Sequence, residues 1–325
     1  MDHKSVLRSK LKPGKLLLSI DLDNTLVNRD RGANFVKKES LGLLKKIKDF
    51  ANVKLLINTG RENFGYTSFT TEVIDVNNAV IGSGSVIIND GRYVIDEKSL
   101  IDKELVDKMV ELVDNGDLGF IDISYFLGRS IISRGDFQDN ALYLCQNPVE
   151  WFTGESRNKI LAGDKSCLDK VYRIEFPVYK AKGEDLFDAL QDKHRNCIEF
   201  LSKMTGITLD ENKYVLKRKA YFQDDFKGKV MFARLEISEQ VVNKGTGLHK
   251  WFEVEGDNSI NVLHIGDRDK GIVNDTIVKK EIPESLIVMV GEAFDKSNPQ
   301  VDVYFEGDVD QDVYQILEVI SEAYV

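Results

Sequence analysis

The run Leu16-Leu17-Leu18-Ser19-Ile20 leads directly into Asp21-Leu22-Asp23-Asn24-Thr25. A short apolar run of this kind reads as a buried strand, and it delivers two carboxylates to its C-terminal end. In an open α/β sheet that edge is where ligands bind. Two like charges two residues apart repel, so one takes a proton or a cation sits nearby.

The rest of the first third repeats the same alternation. Leu41, Leu44, Ile47 and Phe50 recur at three-residue spacing and predict an amphipathic helix over 39–50. Val53 to Ile57 is a second strand, ending in Asn58-Thr59-Gly60-Arg61, and a helix is expected to follow to about residue 75. Ala79–Ile81 and Ser85–Ile88 are further expected strands, interrupted by Gly82 and Gly84. Alternating strands and helices imply a parallel sheet with crossover helices. The last part of the chain resumes this alternation, with a helix over 244–254, strands over 260–265, 286–290 and 301–305, and a closing helix over 308–324.

Between them, 93–238 reads differently. Strands over 171–176, 214–217 and 230–237 and a long helix near 184–204 suit an antiparallel sheet with one wet face. The expected architecture is therefore α/β: a Rossmann-like parallel-sheet core from 1–92 and 239–325, with an α+β domain, 93–238, inserted into it. Insertion at an exposed loop is physically easy.

The chain has 325 residues and a formal net charge of −10, which argues against nucleic acid or an anionic membrane as partner. No apolar stretch reaches the length of about 18 residues that a membrane span needs, and Met1 to Lys15 is basic without an apolar core, unlike a signal peptide. Cys145, Cys167 and Cys197 form no C-x-x-C pair, which fits a reducing cytoplasm. His3, His194, His249 and His264 have no zinc-ligand spacing.

Three expected strand ends carry polar groups: Asp21 and Asp23, then Thr59, then Asp267 in Gly266-Asp267-Arg268-Asp269. Lys244 opens the helix before the third. Such a set suits phosphoryl transfer through a covalent intermediate. Asp21 is the expected nucleophile, and Asp23 the acid and base for leaving group and water. Thr59 and Lys244 would hold phosphate oxygens, and a magnesium ion would offset repulsion between carboxylate and phosphate.

In this order the residues resemble the four motifs of the haloacid dehalogenase superfamily of phosphatases: D-x-D-x-T at Asp21 to Thr25, the Ser/Thr at Thr59, the lysine at Lys244 and the acidic G-D at Asp267. An insertion between the second and third motifs resembles the subgroup with a large α/β cap, the Cof-type and sucrose-phosphate-phosphatase-like members. The resemblance implies a mobile cap over 93–238, Mg2+ as cofactor, a small phosphate ester, most of all a sugar phosphate, as substrate, and Asp21, Asp23, Asp267 and Asp275 as the metal site. Two positions depart from the family pattern. Asn24 stands where many members have Gly, a mild change because Asn tolerates left-handed backbone. Gly271 stands where a second Asp is usual, leaving Asp269 and Asp275 as candidates. Asp275, in Asn274-Asp275, is favoured as the product of a loop insertion.

Other readings carry less. An EF-hand fails because Leu26 and Gly32 occupy the positions of its turn glycine and its glutamate. Gly82-Ser83-Gly84-Ser85 precedes a strand pattern, which a dinucleotide loop does not. Arg61 binds phosphate or pairs with an acid. Trp151 and Phe152 read as packing, and Asp224-Asp225 as a solvated turn. A phosphomutase on the same scaffold, or a degenerate member that only binds ligand, are the rival functions.

Overall fold

The computed structural model describes residues 2–28, 31–32, 34–118, 120–126, 128–133, 168, 170–179, 194–210, 212–223, 230–239, 242–257, 259–267, 275–291 and 297–324. Trp151, Phe152, Asp224-Asp225, Cys145, Cys167, Asp269 and the first half of the helix expected from 184 lie outside them.

The chain divides into two compact units, one formed by Met1–Asp96 and Val242–Val325, the other by Glu97–Val241. In the first, β1 (Leu16–Ile20) is buried at all five positions. It lies between β2 (Val53–Asn58) and β11 (Asn261–Gly266), parallel to both, with Ile20 level with Ile57 and Ile265. The sheet continues outward through β12 (Leu286–Val290) and β13 (Val303–Phe305) on one side. On the other side come β3 (Ala79–Ile81), β4 (Val86–Asn89) and β5 (Arg92–Ile95), the last two antiparallel to their neighbours. Strands buried on both faces read as near-continuous apolar runs, which is why β1, β2, β11 and β12 are visible in the sequence. On one face of this sheet, Leu17, Leu56, Val262 and Ile287 pack with Leu248 and Trp251.

Strand β5 is not among the strands expected from apolar runs, yet its turn carries a signal. Asp90 and Gly91 both have positive φ, 46° and 77°, and join β4 to β5 as a two-residue hairpin turn. Asp-Gly between two strands is the favoured composition for that geometry. The hairpin keeps 92–96 with the core sheet, and the two units part at 96/97 and 241/242. Helix α1 (His3–Lys10), also unforeseen, buries Leu7 and pairs Lys4 with Glu318 and Arg8 with Glu322. Those two glutamates lie on the closing helix, Val309–Ala323.

The second unit is built on an antiparallel sheet in the order β7-β6-β8-β10-β9: Gly128–Ser133, Phe120–Tyr125, Val171–Tyr179, Val230–Glu239 and Tyr214–Gln223. Two helices, Lys103–Asp114 and His194–Thr205, cover one face, packing Leu105, Met109 and Leu201 on Ile121, Ile123, Ile174 and Phe176. Alternation places Asp122, Ser124 and Glu175 on the opposite face. That face was expected to be wet, but these three side chains are buried.

Candidate functional site

Because β1, β2 and β11 are parallel neighbours, their C-terminal ends open on one edge, and the following residues are Asp21, Thr59 and Asp267. A fourth element reaches the same edge. The helix Lys244–Glu255 begins with a capping box: the Asn243 side chain accepts the N–H groups of Gly245 (2.8 Å) and Thr246 (3.0 Å), and Thr246 Oγ1 accepts the Asn243 N–H. This satisfies N-terminal donors that would otherwise be orphaned and fixes where the helix starts. Asn58 on β2 donates to the Lys244 carbonyl, tying the helix start to the sheet edge. Gly84 lets the start approach closely: it has φ +113°, and a Cβ there would lie 2.2 Å from the Asn243 carbonyl oxygen.

The Lys244 ammonium lies 2.9 Å from Asp21 Oδ1 and 2.6 Å from Asp275 Oδ1. Asp21, Asp267 and Asp275 each offer a carboxylate oxygen within 4.8 Å of the others. Asp275 packs over the end of β11, where Oδ2 accepts the Asp267 N–H at 3.1 Å. Only glycine fits beneath it, since a Cβ on Gly266 would lie 2.1 Å from the Asp275 Cγ. Gly266→Ala is accordingly expected to cost about 1–3 kcal/mol of stability, as overpacking does, measurable by urea unfolding at equal protein concentration.

Charge in this group is tightly balanced. Burial pushes the Asp21 carboxyl up to about 8, with Lys244 opposing and Asp275 and Asp267 adding to the rise. Burial alone would also raise Asp275, but Lys244 and His264 outweigh it and hold that carboxyl well below its ordinary range. Burial would lower Lys244, yet Asp21 and Asp275 hold it above its ordinary value. Three carboxylates around one ammonium leave an excess of hard oxygen donors, the set that suits a small divalent cation.

Asp23 does something else. The turn after β1 folds back on itself: Asn24 takes φ +60°, as its tolerance of left-handed backbone allows, and the Val27 N–H bonds the Leu22 carbonyl at 2.7 Å. The Asp23 carboxylate is gripped by Arg61, whose Nη2 is 2.6 Å from Oδ1 and whose Nε is 3.2 Å from Oδ2. Arg61 Nη1 in turn donates to Asn34 Oδ1 at 2.7 Å. The expected repulsion between Asp21 and Asp23 is therefore not the one that matters. Asp21 faces Asp267 and Asp275, and the group of mutually close carboxylates does not include Asp23. Asp23, expected in the metal site, is held in this structure by Arg61. Thr59 is buried at the neighbouring strand end, where its Oγ1 accepts the Arg61 N–H at 3.1 Å.

This order of elements and this edge are those of a known family. A family profile of haloacid dehalogenase-like hydrolases matches residues 18–272. The chain belongs to that family. Similar solved structures show the same fold. One is BT1666 from Bacteroides thetaiotaomicron, described as a phosphatase of the haloalkanoate (HAD) superfamily, with TM-score 0.57 and 17% identity over 96% of this chain and 98% of that one. Another is BT4131, described as a HAD subclass IIB sugar phosphatase, with TM-score 0.51 and 14% identity over 95% and 97%. A haloacid dehalogenase-like hydrolase from B. subtilis gives TM-score 0.54 and 15% identity over 93% and 98%. No curated protein matches the chain in sequence. The Cof-type resemblance and the Rossmann-like core thus hold, and no helix among the described residues is long and apolar enough to cross a membrane.

Three residues of this region carry more than their sequence context suggests. Sequence leaves Arg61 undecided between a phosphate and an acid, and the structure gives it the acid. Asn34 offers no signal in the sequence. His264 lacks zinc-ligand spacing, yet a histidine inside an otherwise apolar buried strand is itself a signal, because it needs partners for both ring nitrogens.

Proposed function

We propose that the chain is a magnesium-dependent phosphatase acting through an aspartyl-phosphate on Asp21, with a small phosphorylated metabolite, foremost a sugar phosphate, as substrate. The observation that carries this reading is the group formed by buried Asp21, Asp275 and Lys244 and half-buried Asp267 at one sheet edge, in a chain of this family. Asp21, Asp267 and Asp275 would hold the cation, which supplies charge neutralisation and lets an ionised Asp21 coexist with a phosphate.

In the first step an Asp21 carboxylate oxygen forms a bond to phosphorus, the ester P–O bond breaks, and the leaving alkoxide takes a proton from Asp23. In the second, water attacks phosphorus, Asp23 accepts its proton and the Asp21–phosphorus bond breaks, returning the carboxylate. Lys244 and the Thr59 hydroxyl stabilise phosphate oxygens as charge builds. Arg61 grips both oxygens of Asp23 in this structure and must release them so that Asp23 carries a proton when the first step begins. The inserted unit, 97–241, is assigned the role of a cap that selects the leaving group. A sugar phosphate leads because one protein of similar fold is a sugar phosphatase.

The direct test is phosphate release across a panel of sugar and polyol phosphates, with and without Mg2+. Mg2+-dependent release from one subset is the expected result; isomerisation of a sugar phosphate without release would assign a mutase instead. Metal binding also carries a proton signature. With the Asp21 carboxyl at about 8, Asp21 is mostly protonated in the metal-free site at neutral pH. Binding of Mg2+ should therefore release close to one proton at about pH 7 and almost none at about pH 9.5. Calorimetry in buffers of different ionisation enthalpy measures this, and pH-independent release would contradict it.

A further inference from the structure

His264 is fully buried on β11, between the apolar residues Leu263 and Ile265. Its register partner on β1 is Ser19, and Ser19 Oγ lies 2.9 Å from His264 Nδ1. At the other end of the ring, Nε2 lies 3.1 Å from Asp275 Oδ1. An apolar side chain would serve a strand buried at this depth at lower cost, because a histidine there must satisfy two ring nitrogens. The two contacts account for both.

We propose that His264 is a positioning residue of this site: its Nε2–H orients the Asp275 carboxylate, and the Ser19 hydroxyl fixes the ring that does so. The direction of each bond follows from the donor inventory. Asp275 Oδ1 already accepts from Lys244 and belongs to a carboxylate, which only accepts, so Nε2 carries the hydrogen. A neutral ring then has Nδ1 as acceptor, and Ser19 donates to it; burial drives His264 toward that neutral form. The relay runs from Ser19 through His264 and Asp275 to Lys244 and Asp21, and every member of it is buried.

The consequence concerns rotation. Lys244 is shared between Asp21 and Asp275, so it cannot by itself set the plane of the Asp275 carboxylate. With His264 on Oδ1 and the Asp267 N–H on Oδ2, both oxygens are pinned from opposite ends. The carboxylate is thereby held in the group it forms with Asp21 and Asp267. Outer partners of this type set metal affinity through the ligand they orient. The proposal rests on the reading of that group as a divalent-cation site.

The experiment is calorimetric titration of Mg2+ into the full chain as wild type, His264→Phe, His264→Gln and Ser19→Ala, each with its melting temperature recorded. Phenylalanine keeps the ring volume and removes both nitrogens, whereas glutamine can return an N–H near the Nε2 position. His264→Phe is expected to weaken Mg2+ binding by about tenfold or more, with His264→Gln within about threefold of wild type and Ser19→Ala between them. Equal affinity in His264→Phe and wild type overturns the proposal alone, as does equal loss in the Phe and Gln variants, which would make the residue merely structural. A wild type that binds no Mg2+ overturns the cation-site reading and this proposal with it. Should His264→Phe not fold, the Gln and Ser19→Ala pair decides: wild-type affinity in Ser19→Ala contradicts the relay.

Discussion

Asp21→Asn is expected to end phosphate release, a loss of at least about a thousandfold, and also to stabilise the metal-free protein at alkaline pH. The second effect follows from burial. Asp21 has a carboxyl raised to about 8 in the folded chain, against about 3.9 when unfolded. A carboxyl raised in this way favours folding while it is protonated. Its contribution is complete below the unfolded value and is lost as pH rises through the folded one. Asparagine has no proton to lose. The gain in melting temperature of the variant over wild type should therefore grow from about pH 5 to about pH 8 and then level off, by about 2–4 °C for each kcal/mol recovered. Melting curves across pH without added metal check this. A variant less stable than wild type at high pH would contradict the placement of Asp21 among Asp267 and Asp275.

Lys244→Met should do the opposite to stability while also removing activity. The lysine is buried against two carboxylates, 2.9 Å from Asp21 and 2.6 Å from Asp275. Taking one partner from a buried ionic group leaves uncompensated charge, typically a loss of about 3–5 kcal/mol. Without the ammonium, both carboxyls rise and the protein relieves the repulsion by protonating them. The deficit relative to wild type should then be smallest in acid and widen as pH rises, because a raised carboxyl gives its stability at low pH and loses it on ionising. Turnover should fall by about a hundredfold or more, as when one preorganised donor to a developing anion is removed. Urea unfolding at several pH values, with turnover measured under folded conditions, separates the two effects. A pH-independent deficit would contradict the charge balance of the site.

The sheet is legible because its central strands are buried on both faces, and that burial leaves near-continuous apolar runs at β1, β2, β11 and β12. The β4–β5 hairpin escapes such a reading, although Asp90-Gly91 is a strong turn signal, because β5 is an edge strand of only four residues, none of them fully buried. Helix α1 is hidden for a related reason: its eight residues bury Leu7 alone. At the site, motif order locates Asp21, Thr59, Lys244 and Asp267 at neighbouring element ends. Spacing cannot say which way a side chain leaves a turn. Asp23 is two residues from Asp21, yet the left-handed Asn24 turn hands its carboxylate to Arg61. Asp275 enters the group across a loop whose length differs from the family pattern, and only Asn274-Asp275 marks it in the sequence. The cradle that admits it, Gly266 without a Cβ, is visible only in three dimensions.

The central claim is that Asp21 carries the phosphoryl group, and the measurement that tests it most directly uses Asp23→Asn with an aryl phosphate. An aryl leaving group departs without a proton, so the first step survives in this variant, while water attack, which needs Asp23 as base, slows. With Mg2+ present, rapid mixing should show a burst of about one aryl alcohol per chain, followed by slow turnover. Acid quenching after the burst and reduction with borohydride should then convert Asp21, and no other aspartate, to homoserine, located by peptide mass spectrometry. A full burst with an unmodified Asp21, or with homoserine at another position, would contradict the account.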